Sequence, residues 1–169
     1  MQKQPWFDPL FENLKKSGEI GVQTATFLRE RRTSISFAKD HPAVGAAWTA
    51  WRSIKINTVY FSPEKIDNPR LLSLVVHEAR HLQQGLVTAL SVYGELDAWQ
   101  LDFGFQKSLT GKYPSPLIAE LCGLPLAFDR RILSQARDLM QTFAGKGYRI
   151  DLLPLYPLPR EIRYRLTKR

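Results

Sequence analysis

Between Asp8 and Lys16 the apolar residues Leu10, Phe11 and Leu14 recur at helical spacing, and Ser17-Gly18 ends the pattern, which predicts a first helix. A second short helix is expected from about Ile20 to Arg31. The period then changes. Thr33-Ser34-Ile35-Ser36-Phe37-Ala38 alternates polar and apolar residues, the pattern of a half-buried strand, and Asp40-His41-Pro42 breaks it. Ala46 to Trp51 and Lys55 to Phe61 read as two more strands, with Arg52-Ser53 between them and Ser62-Pro63 closing the series. The expected product is a small, mostly antiparallel sheet of at least three strands.

Helical signals return at Asp67-Asn68-Pro69. Asn68 can cap free backbone N–H groups, and a proline at the first helical position loses nothing by lacking one. This helix is predicted from Pro69 to about Gln84, with Gly85 as its stop. A further helix is expected from about Tyr93 to Leu109, ended by Gly111. A short one near Leu117 to Leu121 and a longer one from about Phe128 to Phe143 follow. The prolines of Leu152 to Pro159 forbid a regular helix there, so an apolar tail is expected to lie across the domain surface or against a partner. The fold class predicted is α+β: a small sheet packed on the helix of residues 69–84, followed by a helical C-terminal part.

The length of 169 residues suits one domain, with an N-terminal helical segment over residues 1–32 and a proline-rich basic tail over 151–169. Hydrophobic residues at 44% and charged residues at 24% are ordinary for a globular chain, which argues against disorder. Cys122 is the only cysteine, so no intrachain disulfide can form. Its apolar surroundings, Ile118 to Leu124, suit a buried small hydrophobe better than a nucleophile. No apolar stretch is long enough to span a bilayer, and the first residues lack the pattern of a signal peptide, so a cytoplasmic location is expected. The net charge of +8 attracts polyanions, and much of it is local, in Arg29 to Arg32 and in the tail from Arg160 to Arg169. No nucleic-acid-binding motif accompanies it, so a solvated basic surface is the favoured reading.

The chemistry concentrates in His77-Glu78-Ala79-Arg80-His81. Positions four apart lie on one face of a helix, so His77 and His81 can point both imidazoles at one ion. Neutral imidazole is a good zinc ligand. Glu78 lies about 100° around the helix from His77, where a carboxylate can take a proton from a water polarised by the metal. The bland alternative is an exposed polar helical face. A catalytic zinc needs a third protein ligand, and the best candidate is Glu95, which opens the next helix after a short loop. Its plainer reading is a carboxylate favoured by the helix dipole. Ala98, one turn on, is small enough to let the two helices approach. Asp102, seven residues after Glu95, falls on nearly the same stripe and can hydrogen-bond a ligand histidine. Asp97 points elsewhere and reads as a surface charge, and Gln83 and Gln84 are expected to finish their helix in solvent. Tyr93, Tyr113, Tyr148 and His41 are candidate donors to a developing oxyanion, and spacing favours none of them. Trp48, Trp51 and Trp99 read as core aromatics, one of which could floor a substrate pocket.

With these residues the chain resembles the zincin metallopeptidases, and among them the gluzincins. The match consists of His77, Glu78 and His81, then a Glu-x-x-Ala element at Glu95 and Ala98, and it covers roughly residues 33–109. The strands before the motif helix also resemble the zincin core, in which an edge strand lines the substrate cleft. The resemblance implies zinc held by His77, His81 and Glu95, with Glu78 as general base. Gln84 and Val87 stand where the metzincin extension has glycine and histidine, which excludes that branch. Trp99 stands where many gluzincins carry an aspartate, and Asp102 is the candidate substitute. The thermolysin-type spacing falls near Leu101, which cannot ligate, so the site reads as a compact variant.

The function expected is therefore a small zinc metallopeptidase acting on a peptide or protein substrate. A second reading keeps the zincin scaffold as an interaction subunit whose basic or proline-rich tail docks a protein partner. A third, a basic nucleic-acid-associated protein, predicts binding that weakens steeply with salt.

Overall fold

A computed structural model of the chain describes residues 4–40, 45–49, 53–145 and 147–167. Helices α1 (Phe7–Lys16) and α2 (Glu19–Glu30) lead into strands β1 (Ser34–Ala38), β2 (Ala46–Thr49) and β3 (Ser53–Asn57). Helix α3 (Pro69–Gln84), the short α4 (Leu86–Ala89) and α5 (Val92–Thr110) follow. Then come α6 (Pro116–Gly123), α7 (Arg130–Ala144) and α8 (Leu158–Thr167). The architecture is α+β, as the change of period along the sequence implies.

The sheet is mixed where a mostly antiparallel one is expected. Its order is β1-β3-β2, with β3 parallel to β1 and antiparallel to β2. Inward Ile35, Ile54 and Ile56 are buried, whereas Lys55 between the last two is exposed. β3 also begins and ends earlier than the apolar run suggests. The Asn57 carbonyl accepts from the N–H groups of Tyr60 and Phe61, and its side-chain oxygen from that of Val59, so the chain turns at residues 58–60. Within the second run expected as strand, Ala50 and Trp51 lie outside the described residues.

Helix α3 has the boundaries its caps imply. Asn68 Oδ1 accepts from the N–H of Arg70 at 2.8 Å and of Leu71 at 3.4 Å, and Pro69 opens the helix. Gly85 ends it at φ +73°, a backbone region that side chains disfavour. Two apolar clusters flank this helix and α5. One joins α1, α2 and the sheet to α3, with Leu10, Phe11, Ile54, Val75 and Val76 fully buried. The other joins α5, α6 and α7, around Trp99, Phe103, Leu121 and Leu133. Cys122 packs half-buried against this second cluster, and burial pushes its thiol up to about 11, which keeps it protonated.

The C-terminal segment crosses the start of α5, where Pro154 and Leu155 carbonyls accept from the N–H groups of Val92 and Tyr93. Leu155 and Tyr156 are buried there. The helix that follows, α8, is not apparent from the proline pattern. Pro159 falls in its first turn, where a missing N–H breaks nothing.

Candidate metal centre

Three side chains from two packed helices converge at the seam between the clusters. His77 and His81 project from one face of α3, and Glu95 from the first turn of α5. One potential ligand atom from each lies within 4.8 Å of the others. His77 Nε2 is 2.9 Å from His81 Nε2. Glu95 Oε1 is 3.4 Å from His81 Nε2, and Oε2 is 3.9 Å from His77 Nε2. A tetrahedral ion with bonds of about 2.0–2.2 Å sets its donors roughly 3.3 Å apart, close to this triangle. Both histidines are at least nine-tenths buried.

The hydrogen bonds around the rings determine where their lone pairs point. Gln84 uses its amide N–H groups on the Gly94 carbonyl at 2.8 Å and on Asp97 at 2.7 Å. Its oxygen therefore faces His81 Nδ1 at 3.1 Å, so Nδ1 carries the proton and Nε2 a lone pair. His77 Nδ1 faces Asp102 Oδ2 at 3.6 Å, just beyond hydrogen-bond length, and this buried nitrogen has no nearer partner. Beside a carboxylate it too carries its proton, which leaves a second lone pair on Nε2. Two buried lone pairs facing each other repel unless a metal ion, or a proton shared in the 2.9 Å hydrogen bond between the rings, lies between them. The donor set, two imidazoles and a carboxylate, therefore fits zinc or a similar divalent ion. Without a metal, burial opposes charging either ring. The carboxylates of Asp102, Glu78 and Glu95 nonetheless lift His77 to about 9, while burial and His77 push His81 down to about 3.

Asp102 occupies the place its stripe implies. It is buried and held by Arg70, whose Nη1 donates to its two oxygens at 2.8 and 2.9 Å. Burial works against its charge, yet Arg70 and His77 hold its carboxyl below the usual range. Two residues read as solvent-facing are not. Gln84 links His81 to α5, and Asp97 accepts from Arg80 at 2.8 and 3.2 Å besides Gln84. Both lie in the α3–α5 contact, which the short connection through α4 makes tight. Gln83 is exposed, as expected.

Tyr148 is the residue at this centre that spacing does not single out. Its hydroxyl donates to Glu95 Oε2 at 2.5 Å and accepts from Trp99 Nε1 at 3.0 Å. Of its rivals as oxyanion donors, Tyr93 stacks on Phe128 and the Tyr113 ring lies under the Lys107 ammonium, and neither lines the cavity that holds Glu78. His41 lies outside the described residues.

Glu78 is buried at the wall of a cavity of about 330 Å³. Ala46, Phe61, Leu74, His77, Trp99, Phe143 and Tyr148 also line it. Burial, reinforced by Glu95 and Asp102, raises the Glu78 carboxyl to about 7 against the pull of His77 and a hydrogen bond from the Trp48 backbone. That bond follows from the sheet. Asn57 N–H donates to the Gly45 carbonyl, so alternate residues of β2 face β3. Ala46 and Trp48 turn their backbone groups to the edge away from β3, where no described strand pairs with them and Trp48 meets Glu78. No helix among the described residues is long and apolar enough to cross a membrane. No protein-family model, no curated protein and no solved structure matches the chain.

Proposed function

We propose that this protein is a metal-dependent hydrolase of the zincin type, with zinc as its ion and a peptide bond as its substrate. The observation that carries the reading is the convergence of His77, His81 and Glu95 within 4.8 Å, with the Glu78 carboxyl beside them in a cavity. A zinc ion held there supplies Lewis acidity, which polarises a carbonyl and lowers the pKa of water. The Glu78 carboxyl lines the same cavity as His77, within reach of a water that such an ion would hold. It therefore suits the role of removing a proton from the attacking water and delivering it to the leaving amine. Asp102 orients His77, Gln84 orients His81, and Tyr148 holds Glu95. The open edge of β2 offers main-chain groups to an extended substrate, which favours a peptide over a small ester.

The test is zinc content and proteolysis measured on the same preparations. About one zinc per chain is expected, lost in His77→Ala and Glu95→Ala, and retained in Glu78→Gln with hydrolysis abolished. A protein that takes up no zinc even when it is supplied would sink the reading. An interaction role has its own support in α8, where Leu158, Ile162 and Leu166 form an exposed apolar stripe among arginines. Zinc retained with no hydrolysis in the wild type, across an unbiased peptide library, would favour that role.

A further inference from the structure

Two cavities lie along this part of the molecule. The first holds His77 and Glu78, and the second, of about 320 Å³, is lined by His81. Its walls are apolar: Phe27 from α2, Trp48 from β2, and Leu82 and Leu86 from the end of α3 and from α4. Trp48 lies against His81, with ring centroids 5.9 Å apart. Ala46 lines the first cavity and Trp48 the second, two residues apart on the edge strand. A strand repeat of two spans roughly 7 Å. A peptide laid along that edge therefore reaches both cavities within a few residues.

The second cavity is not wholly apolar. Arg31, the C-terminal cap of α2, stands in its wall, exposed, with its guanidinium 5.8 Å from the Phe27 ring centroid. Among the described residues no carboxylate pairs with it, whereas Arg29 nearby reaches Asp8 and Arg80 reaches Asp97. The two-residue turn from α2 to β1 sets its position, with the Arg31 N–H bonded to the Phe27 carbonyl and Arg32 at φ +52°. Thr33 follows, its buried hydroxyl also without a partner. A cation at the wall of an apolar slot beside a metal ligand is shaped for a side chain with an aliphatic stem and an anionic end. The net charge of +8 draws such substrates toward the molecule.

We infer that the cavity on the His81 side is a recognition subsite for an acidic side chain of the peptide substrate, with Arg31 pairing its carboxylate. This inference rests on the peptidase reading above and adds to it the substrate's charge. Blocked pentapeptides that differ only in Glu, Gln or Lys at each position test it on the zinc-supplied full chain. Cleavage is followed by mass spectrometry, and binding to the Glu78→Gln protein by calorimetry. Glu is expected to be preferred over Gln at one position by about fivefold, the range of a partly exposed ion pair. Arg31→Gln is expected to erase that preference, Arg31→Lys to keep part of it, and Arg31→Glu to shift it toward Lys. An unchanged Glu-to-Gln ratio in Arg31→Gln, or no preference in the wild type, overturns the inference. Absence of cleavage with a Glu preference in binding that Arg31→Gln abolishes would count against the peptidase reading alone and uphold the subsite.

Discussion

At the scale of single residues, the proposed metal centre depends on groups that touch its candidate ligands without being ligands themselves. Asp102 is the clearest, because it is buried, ionised and aimed at His77 Nδ1. Replacing it by Asn removes the charge that keeps the proton on Nδ1 and the lone pair on Nε2. Asp102→Asn is expected to lower zinc affinity by about 10- to 100-fold, measured by competition with a fluorescent chelator. An unchanged affinity would mean that Arg70 alone is the partner for which Asp102 is buried. His77, Glu78 and His81 are legible from spacing alone, since a helix turns every side chain by a fixed angle. Glu95 and Asp102 are legible because a short loop forces the next helix to pack antiparallel. Tyr148 is not: it meets Glu95 across 53 residues, and no local pattern carries such a contact.

At the scale of elements, the contact between α3 and α5 sets the distance from the histidines to Glu95. Gly94 permits it. A Cβ there would lie 2.1 Å from the Thr88 carbonyl oxygen and 2.7 Å from its carbon, both backbone atoms that cannot yield cheaply. Gly94→Ala is expected to cost about 3 kcal/mol. For a chain of this length that lowers Tm by roughly 6–12 °C. Gly104 lies on the same helix with nothing within 4 Å of its would-be Cβ, so Gly104→Ala should gain about 0.5–1 kcal/mol. Thermal melts of the two variants decide this, and equal effects would contradict the packing argument. The same contact explains why Gln84 and Asp97 are drawn inward: at a tight helix crossing, a polar residue near the helix end bonds across the gap instead of to water.

At the scale of the whole molecule, the C-terminal segment is tied down by charge as well as by Leu155 and Tyr156. Glu161 is buried on α8 and accepts from Arg130 of α7 at 2.9 Å and from Arg165 at 3.0 Å. Burial opposes its charge, but these arginines hold its pKa below the ordinary 4.5. A depressed carboxyl contributes stability that is fully present above 4.5 and is lost as pH falls through the lower folded value. Glu161→Gln is expected to cost about 2 kcal/mol at neutral pH. It should also flatten the fall in Tm between about pH 5 and pH 3, and a parallel fall in both proteins would argue against the pair. The helices α1, α2, α3, α5 and α7, the capping of α3 and the ligand spacing on it follow from the sequence, because each rests on residues within a few turns of one another. The pairing of β1 with β3 in parallel, the helix after the prolines, the arrival of Tyr148 at Glu95 and the two cavities along β2 do not. Each depends on which distant surfaces bury each other, a balance of packing and desolvation over the whole chain that no local period encodes.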